Sequence, residues 1–229
     1  MIRLHLDNQA PAAVSCILFD MDGTLLDSAP GVMDSAARAL KAVNAPVPPH
    51  GDLLKYVGPP MYESFRQSAG LDTATAKEAL RHYRAAYAET GAELSSLFDG
   101  VGGLLEHLAS LQCPMAVATS KVEDQAVRLA GAFGIDRHFA DICGASDAAG
   151  RASKEDVIAE SLGRLKVQGV DISSPVMVGD RRYDVAGAAA HGVPTIFVAW
   201  GYGDPSEARG AAAVAETPEV LSLLLRAGR

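Results

Sequence analysis

Four short apolar runs recur along the chain, three of them passing into polar residues. They are Val14 to Phe19 (VSCILF), Pro114 to Thr119 (PMAVAT), Pro175 to Gly179 (PVMVG) and Pro194 to Ala199 (PTIFVA). The runs are continuously apolar rather than alternating, the pattern of a strand covered on both faces. Helical stretches lie between them: Lys121 to Phe133 closed by Gly134, Ser153 to Leu165, and Tyr183 to His191 closed by Gly192, with Pro218 to Arg226 as a tail helix. Ser153 is placed to cap its helix, with Asp156 at the reciprocal position of a capping box. Strands alternating with helices predict an α/β fold built on a parallel sheet covered on both sides. The chain has 229 residues, 48% of them apolar, enough to bury a core without a disulfide or metal staple.

One segment breaks the alternation. From Ser28 to about Ser96 every periodic stretch is helical. Pro30 stands where a first helical turn tolerates it, and the helix runs to Val43. Asn44 to His50 (NAPVPPH) is too rich in proline for a helix. A short helix near Asp52 to Val57 follows, then Pro59 to Ala69, then Thr73 to Thr90, where Ala76, Leu80, Tyr83 and Tyr87 share one face. Their spacing reads as core packing. The division expected is a core of residues 1–28 and 96–229 with an all-helical insertion, residues 29–95, after the first strand. Residues 1 to about 13 read as a ragged lead-in.

The strand ends carry the chemistry. The first run passes into Asp20-Met21-Asp22-Gly23-Thr24-Leu25-Leu26-Asp27-Ser28. In an open parallel sheet, ligands bind beyond the carboxyl ends of the strands. Carboxylates two residues apart leave an extended strand end on the same side. Gly23 then permits a tight turn whose successive N–H groups can point at an anion. The second run ends in Thr119-Ser120-Lys121 and the third in Gly179-Asp180-Arg181-Arg182-Tyr183-Asp184. Lys154 opens a helix, the wrong end for the macrodipole, which implies another reason for its place.

The net charge of -8 leaves no chain-wide field to hold nucleic acid, so a phosphate site must be local. No apolar run is long enough to span a bilayer, and no signal-peptide h-region is present. Cys16, Cys113 and Cys143 have no metal-ligand spacing and read as free buried thiols of a reducing cytosol.

Taken in order, DMDGTLLD, ATS, a helix-opening lysine and GDRRYD resemble the haloacid dehalogenase-like hydrolase superfamily. The resemblance runs from about Val14 to Gly203 and implies a Rossmann-like core with a helical cap. It implies that Asp20 is a nucleophile forming an aspartyl-phosphate and that Asp22 is the general acid, with Thr24 orienting it. Gly23, Thr119, Ser120 and Lys154 would hold phosphoryl oxygens. Mg²⁺ would be held by the Asp20 carboxylate, the Asp22 carbonyl and Asp180, with Asp184 supporting it from behind or as a further ligand. The electrostatics agree, because clustered carboxylates facing a phosphate dianion need a hard cation, and no Cys or His nearby suggests zinc.

Asp22 favours phosphate-ester cleavage, since the dehalogenase and phosphonate-cleaving branches lack an acid there. Lys41 and Lys55, the cap lysines weighed for a Schiff base, read as solvated. The phrases Tyr56-Val57-Gly58-Pro59-Pro60 and Gly179 to Ala188 are similar to the phosphoglycolate phosphatase and 5′-nucleotidase-like group. The implied substrate is a small phosphorylated metabolite, phosphoglycolate or a nucleoside monophosphate, for a cytoplasmic monomer or homodimer. Gly58-Pro59-Pro60 is either a substrate-facing loop or a plain helix connection. Lys121 and Arg181 are either solvated or close to the phosphate, and His107, His138 and His191 are structural or exposed. A β-phosphoglucomutase-like phosphomutase is the alternative within the superfamily. A phosphorylated receiver module is the non-enzymatic rival, set back by the acidic motif standing on the first strand and by the helical insertion.

Overall fold

The computed structural model describes residues 14–91 and 93–227. The lead-in expected for residues 1 to 13 lies outside them. Strand β1 (Cys16–Phe19) passes through the acidic loop to a two-residue strand, β2 (Leu26–Asp27). Helices α1 (Ala29–Ala42), α2 (His50–Leu53), α3 (Met61–Gln67) and α4 (Thr73–Thr90) follow, with a 3-10 turn at Leu54–Tyr56. Strand β3 (Ser96–Leu97) then pairs antiparallel with β2, Leu26 opposite Leu97. The helical cap is therefore an insertion whose two connections are tied together at its base.

The chain continues through α5 (Val101–Ser110), β4 (Met115–Val122), α6 (Glu123–Ala132), β5 (Asp141–Ala145) and α7 (Lys154–Val167). It closes with β6 (Pro175–Gly179), α8 (Arg182–Ala189), β7 (Thr195–Val198), β8 (Ala213–Ala215) and α9 (Pro218–Ala227). Six of these strands form one parallel sheet in the order β5-β4-β1-β6-β7-β8. The strand leading into Asp20 is thus central, between β4 and β6.

Period-two alternation divides the sheet's two faces. Ile17, Phe19, Met115, Val117, Val176 and Val178 face a large apolar cluster that includes Leu105 and Leu225 and extends to Tyr56 and Phe65 of the cap. Cys16, Leu18, Ala116, Ala118 and Met177 face a smaller cluster with Val157, Ile158 and Ala188. Both faces are covered, which is why the strands read as unbroken apolar runs. The three cysteines are free and buried.

Three differences from the sequence-based expectation have local causes. Strand β4 runs on to Val122, where a helix start at Lys121 was expected. The irregular register between Ala118 and Val122 lets Val122 pair with Ala145, and the helix begins at Glu123. Strands β5 and β8 were not foreseen. Both are sheet edges; β5 carries charge (Asp141) and β8 sits in an Ala-rich stretch, so neither shows a buried strand's run. The capping box of α7 is present, with Ser153 accepting from the Asp156 N–H and the Asp156 carboxylate accepting in return.

Candidate active site

The acidic loop leaves the sheet with the Asp20 N–H donating to Val178 O at 2.9 Å, a last rung of the ladder with β6. The chain then doubles back. The N–H groups of Leu25 and Leu26 both reach Met21 O, and that of Gly23 reaches Leu26 O. Gly23 has φ +85° and takes the left-handed conformation this turn requires. The turn directs Asp20 toward the ends of β4 and β6, where Thr119, Asp180 and Asp184 arrive.

Lys154, the first residue of α7, is 5% exposed. Its Nζ lies 2.8 Å from Asp20 Oδ1, 2.8 Å from Asp184 Oδ1 and 3.0 Å from Ala118 O. That bridge explains a lysine at the unfavourable end of a helix. Burial alone would strip the charge from Lys154, but Asp184 and Asp20 outweigh it and its pKa is raised.

The carboxylates are crowded electrostatically. Burial, opposed by Lys154 and reinforced by Asp184, pushes Asp20 up to about 6. Burial together with Asp184 and Asp20 raises Asp180 well above the ordinary carboxylate range. Asp20, Asp180 and Asp184 are all buried, and each offers an oxygen within 4.8 Å of the others. One lysine does not balance three such groups.

Asp180 is closely enclosed. It accepts from Thr24 Oγ1 at 3.2 Å and from the Tyr202 N–H at 2.9 Å. A Cβ on Gly23 would stand 2.6 Å from Asp180 Cγ, and one on Gly201 2.5 Å from Asp180 Oδ2. One on Gly203 would overlap the Asp180 carbonyl. A donor set of hard carboxylate oxygens, held together against mutual repulsion and walled by backbone, fits Mg²⁺. Asp20, Asp180 and Asp184 would hold it.

Asp22 is turned away from that cluster. Its Oδ1 accepts from Ser28 Oγ at 2.6 Å, and its Oδ2 lies 3.1 Å from Lys121 Nζ. The family resemblance assigned its orientation to Thr24. The Thr24 hydroxyl points instead at Asp180, and Ser28, at the foot of α1, holds Asp22. Lys121 is buried, settling a position left open by the sequence, and its ammonium stands 4.0 Å above the Tyr87 ring of the cap.

A cavity of about 540 Å³ opens above these groups. Asp20, Asp22, Thr119, Ser120 and Lys121 form its floor, and Tyr56, Tyr62, Leu80 and Tyr83 form an aromatic and apolar roof in the cap. Gly58, Pro59 and Pro60 line it, so that turn does face the site. Lys77, Arg81 and Arg84 stand along its cap side. Arg84 ties the cap to the core through Asp147, at 2.6 and 3.2 Å. Arg181 is also buried, donating to the Val57 carbonyl of the cap and pairing with Glu207 at 3.2 Å. Thr119 Oγ1 accepts from the Lys121 N–H at 3.2 Å, and Ser120 Oγ is buried without a hydrogen-bond partner.

The structure therefore brings Asp20, Asp22, Gly23, Thr24, Thr119, Ser120, Lys154, Asp180 and Asp184 to one edge of the sheet. Sequence reasoning missed Ser28 and the segment Trp200-Gly201-Tyr202-Gly203. Trp200 Nε1 donates to Thr24 O at 3.0 Å, and the Tyr202 hydroxyl donates to Asp27 at 2.6 Å. The signal was present: this glycine-punctuated phrase directly follows the fourth apolar run, as the acidic motifs follow the first and third.

Residues 17–198 match the family model described as haloacid dehalogenase-like hydrolase. The chain is 49% identical over 188 residues to the tyrosine-protein kinase PtkA of Mycobacterium tuberculosis, a match covering 82% of this chain and 62% of that protein. The chain thus spans less than two thirds of that relative's length. A solved structure of M. tuberculosis PtkA superposes with a TM-score of 0.81 at 42% identity, covering 93% of this chain and 98% of that one. A 5′-nucleotidase of Pseudomonas aeruginosa is 38% identical over 193 residues, 84% of this chain and 86% of the relative. A plasmid phosphoglycolate phosphatase of Cupriavidus necator is 30% identical over 221 residues, 94% of each.

Proposed function

We propose that this chain, which belongs to the haloacid dehalogenase-like hydrolase family, is a Mg²⁺-dependent phosphatase of small phosphate monoesters. The observation carrying the reading is the buried constellation at the end of β1: Lys154 Nζ 2.8 Å from both Asp20 and Asp184, with Asp180 completing a three-carboxylate cluster. Asp20 attacks phosphorus, forming the aspartyl-phosphate as the bond to the leaving oxygen breaks. Asp22 gives that oxygen its proton and then takes one from the water that hydrolyses the intermediate. Lys154 aligns Asp20 and offsets the charge gathering on the phosphoryl oxygens, with Thr119 and Ser120 beside it. Bound Mg²⁺ supplies positive charge that lets the acidic groups and a phosphate dianion share the site. Residues 29–95 act as the lid that excludes water.

Cavity size favours a nucleoside monophosphate over phosphoglycolate. About 540 Å³ is the scale of a drug-sized ligand, and the tyrosine-lined roof offers faces for a base to stack on. A phosphotyrosine side chain fits the same chemistry and is the second reading. The decisive experiment is a Mg²⁺-supplemented panel of nucleoside monophosphates, phosphoglycolate, sugar phosphates and a phosphotyrosine peptide, ranked by kcat/KM. Nucleotides should lead. Phosphoglycolate leading would overturn the substrate reading, and conversion of a hexose 1-phosphate to the 6-phosphate with a bisphosphate primer would replace hydrolysis by phosphomutase chemistry. Turnover surviving in Asp20→Asn would remove the nucleophile assignment.

A further inference from the structure

The buried ammonium of Lys121 has no place in the phosphoryl-transfer scheme above. Its side chain is 3% exposed, and a lysine leaves water at a heavy cost unless something holds it there. Among the described residues its ion pair is with Asp22. Its other face meets the Tyr87 ring, on the last turns of α4. Tyr87 is in turn stacked on Tyr83, with ring centroids 5.8 Å apart, and Tyr83 lines the cavity roof. Asp22 is thus gripped from two sides, by Ser28 from the foot of α1 and by Lys121 from the end of β4.

We infer that Lys121 is a positioning residue that sets Asp22 for proton transfer only while the cap is seated, with the Tyr87 ring as its contact on the cap. The inference rests on the phosphatase reading and deepens it. Ring and ammonium attract each other at this separation. Lifting α4 takes away that attraction and opens Lys121 to water, which competes for its charge. The carboxylate then keeps only Ser28 and loses its fixed direction toward the leaving oxygen. Proton donation is thereby confined to the closed, substrate-filled state. The proton path is that of the reaction itself: Asp22 O–H to the leaving oxygen as the P–O bond breaks, then water O–H back to Asp22 as the aspartyl-phosphate is cleaved.

A residue acting through the acid is revealed by the leaving group. A nucleoside leaves as a poor alkoxide and needs the proton, whereas p-nitrophenolate leaves without one. Lys121→Met should lower kcat on the best nucleoside monophosphate by about 10²-fold while costing p-nitrophenyl phosphate no more than about threefold. Lys121→Arg should restore most of the loss. Tyr87→Leu should reproduce a smaller loss with the same leaving-group bias, Tyr87→Phe should match the wild type, and the Lys121→Met/Tyr87→Leu pair should be no worse than Lys121→Met alone. Equal losses on both substrates, or a change confined to KM, would mean that Lys121 merely binds substrate or supports the fold, and would overturn the inference. If Lys121→Met does not fold, the two Tyr87 variants decide by the same bias. Failure of the wild type on both substrates would strike the phosphatase reading instead.

Discussion

The floor and the roof of the cavity are built on opposite terms. The floor, with the layer just beneath it, gathers Asp20, Asp22, Asp180, Asp184, Lys121 and Lys154 out of water, each fixed by strand ends, helix starts or glycine walls. The roof is a helical surface whose charged groups stay solvated: the Arg84 side chain is 37% exposed, its partner Asp147 71% exposed, and Arg81 72% exposed. In the floor a charge is valuable because it cannot relax; in the roof a side chain is replaceable because water can. Chemistry fixed below and selectivity adjustable above is the division of labour this contrast teaches.

The largest effect should come from the floor's centre. Asp20→Asn should cost at least about 10⁴-fold in kcat with the fold intact by circular dichroism. A loss below about tenfold would break the contrast at once. Next is Lys154→Met, which leaves Asp20 and Asp184 buried without their cation. It should lower the unfolding free energy by about 3–5 kcal/mol in denaturant titrations, besides abolishing turnover.

Charge frustration in the floor gives a third prediction, with a sign opposite to that of ordinary carboxylates. Burial pushes Asp20 up to about 6 in the folded chain, against 3.8 for an aspartate in water. The folded, metal-free protein therefore binds this proton more readily than the unfolded chain. The contribution to stability is fully present below about pH 4 and is lost as pH rises through about 6. In EDTA, wild type should accordingly lose stability relative to Asp20→Asn between about pH 4 and about pH 7, and Mg²⁺ should raise Tm most at the upper end. A flat difference across that window would show that the floor carries no such frustration. The smallest effect belongs to the roof: Arg84→Ala should cost no more than about 1 kcal/mol and shift KM only severalfold, read by calorimetry and steady-state kinetics.

The same contrast explains what was legible in the sequence. The central strands announced themselves because burial on both faces leaves only apolar residues, and the acids followed because they stand at or just beyond the ends of those runs, while Lys154 showed as a lysine at the unfavourable start of a helix. Helix α4 was read at its observed limits, Thr73 to Thr90, since its periodicity is strong and Asp72 caps it. Edge strands β5 and β8 left no such mark, because a strand half in water is free to carry Asp141 or a run of alanines. Lys121 and Arg181 could not be placed: a lysine or arginine near a strand end looks the same whether it faces solvent or a buried partner. The Tyr83–Tyr87 pair was read as packing, which it is, but its contact with Lys121 depends on how the inserted helices sit over the sheet, which no local pattern encodes. Ser28 escaped for a similar reason. A serine before a helix suggests a cap, yet its hydroxyl serves Asp22 across the turn.

The close approach of Gly23, Gly201 and Gly203 to Asp180 carries a consequence for how this chain tolerates change. These positions bear no functional group, yet a single methyl at any of them meets the acid or its carbonyl. In a saturation library selected for turnover they should empty as completely as the column for Asp20 itself. A map of such a library would therefore draw the active site larger than its reactive atoms, the excess outlining where backbone alone is narrow enough to pass.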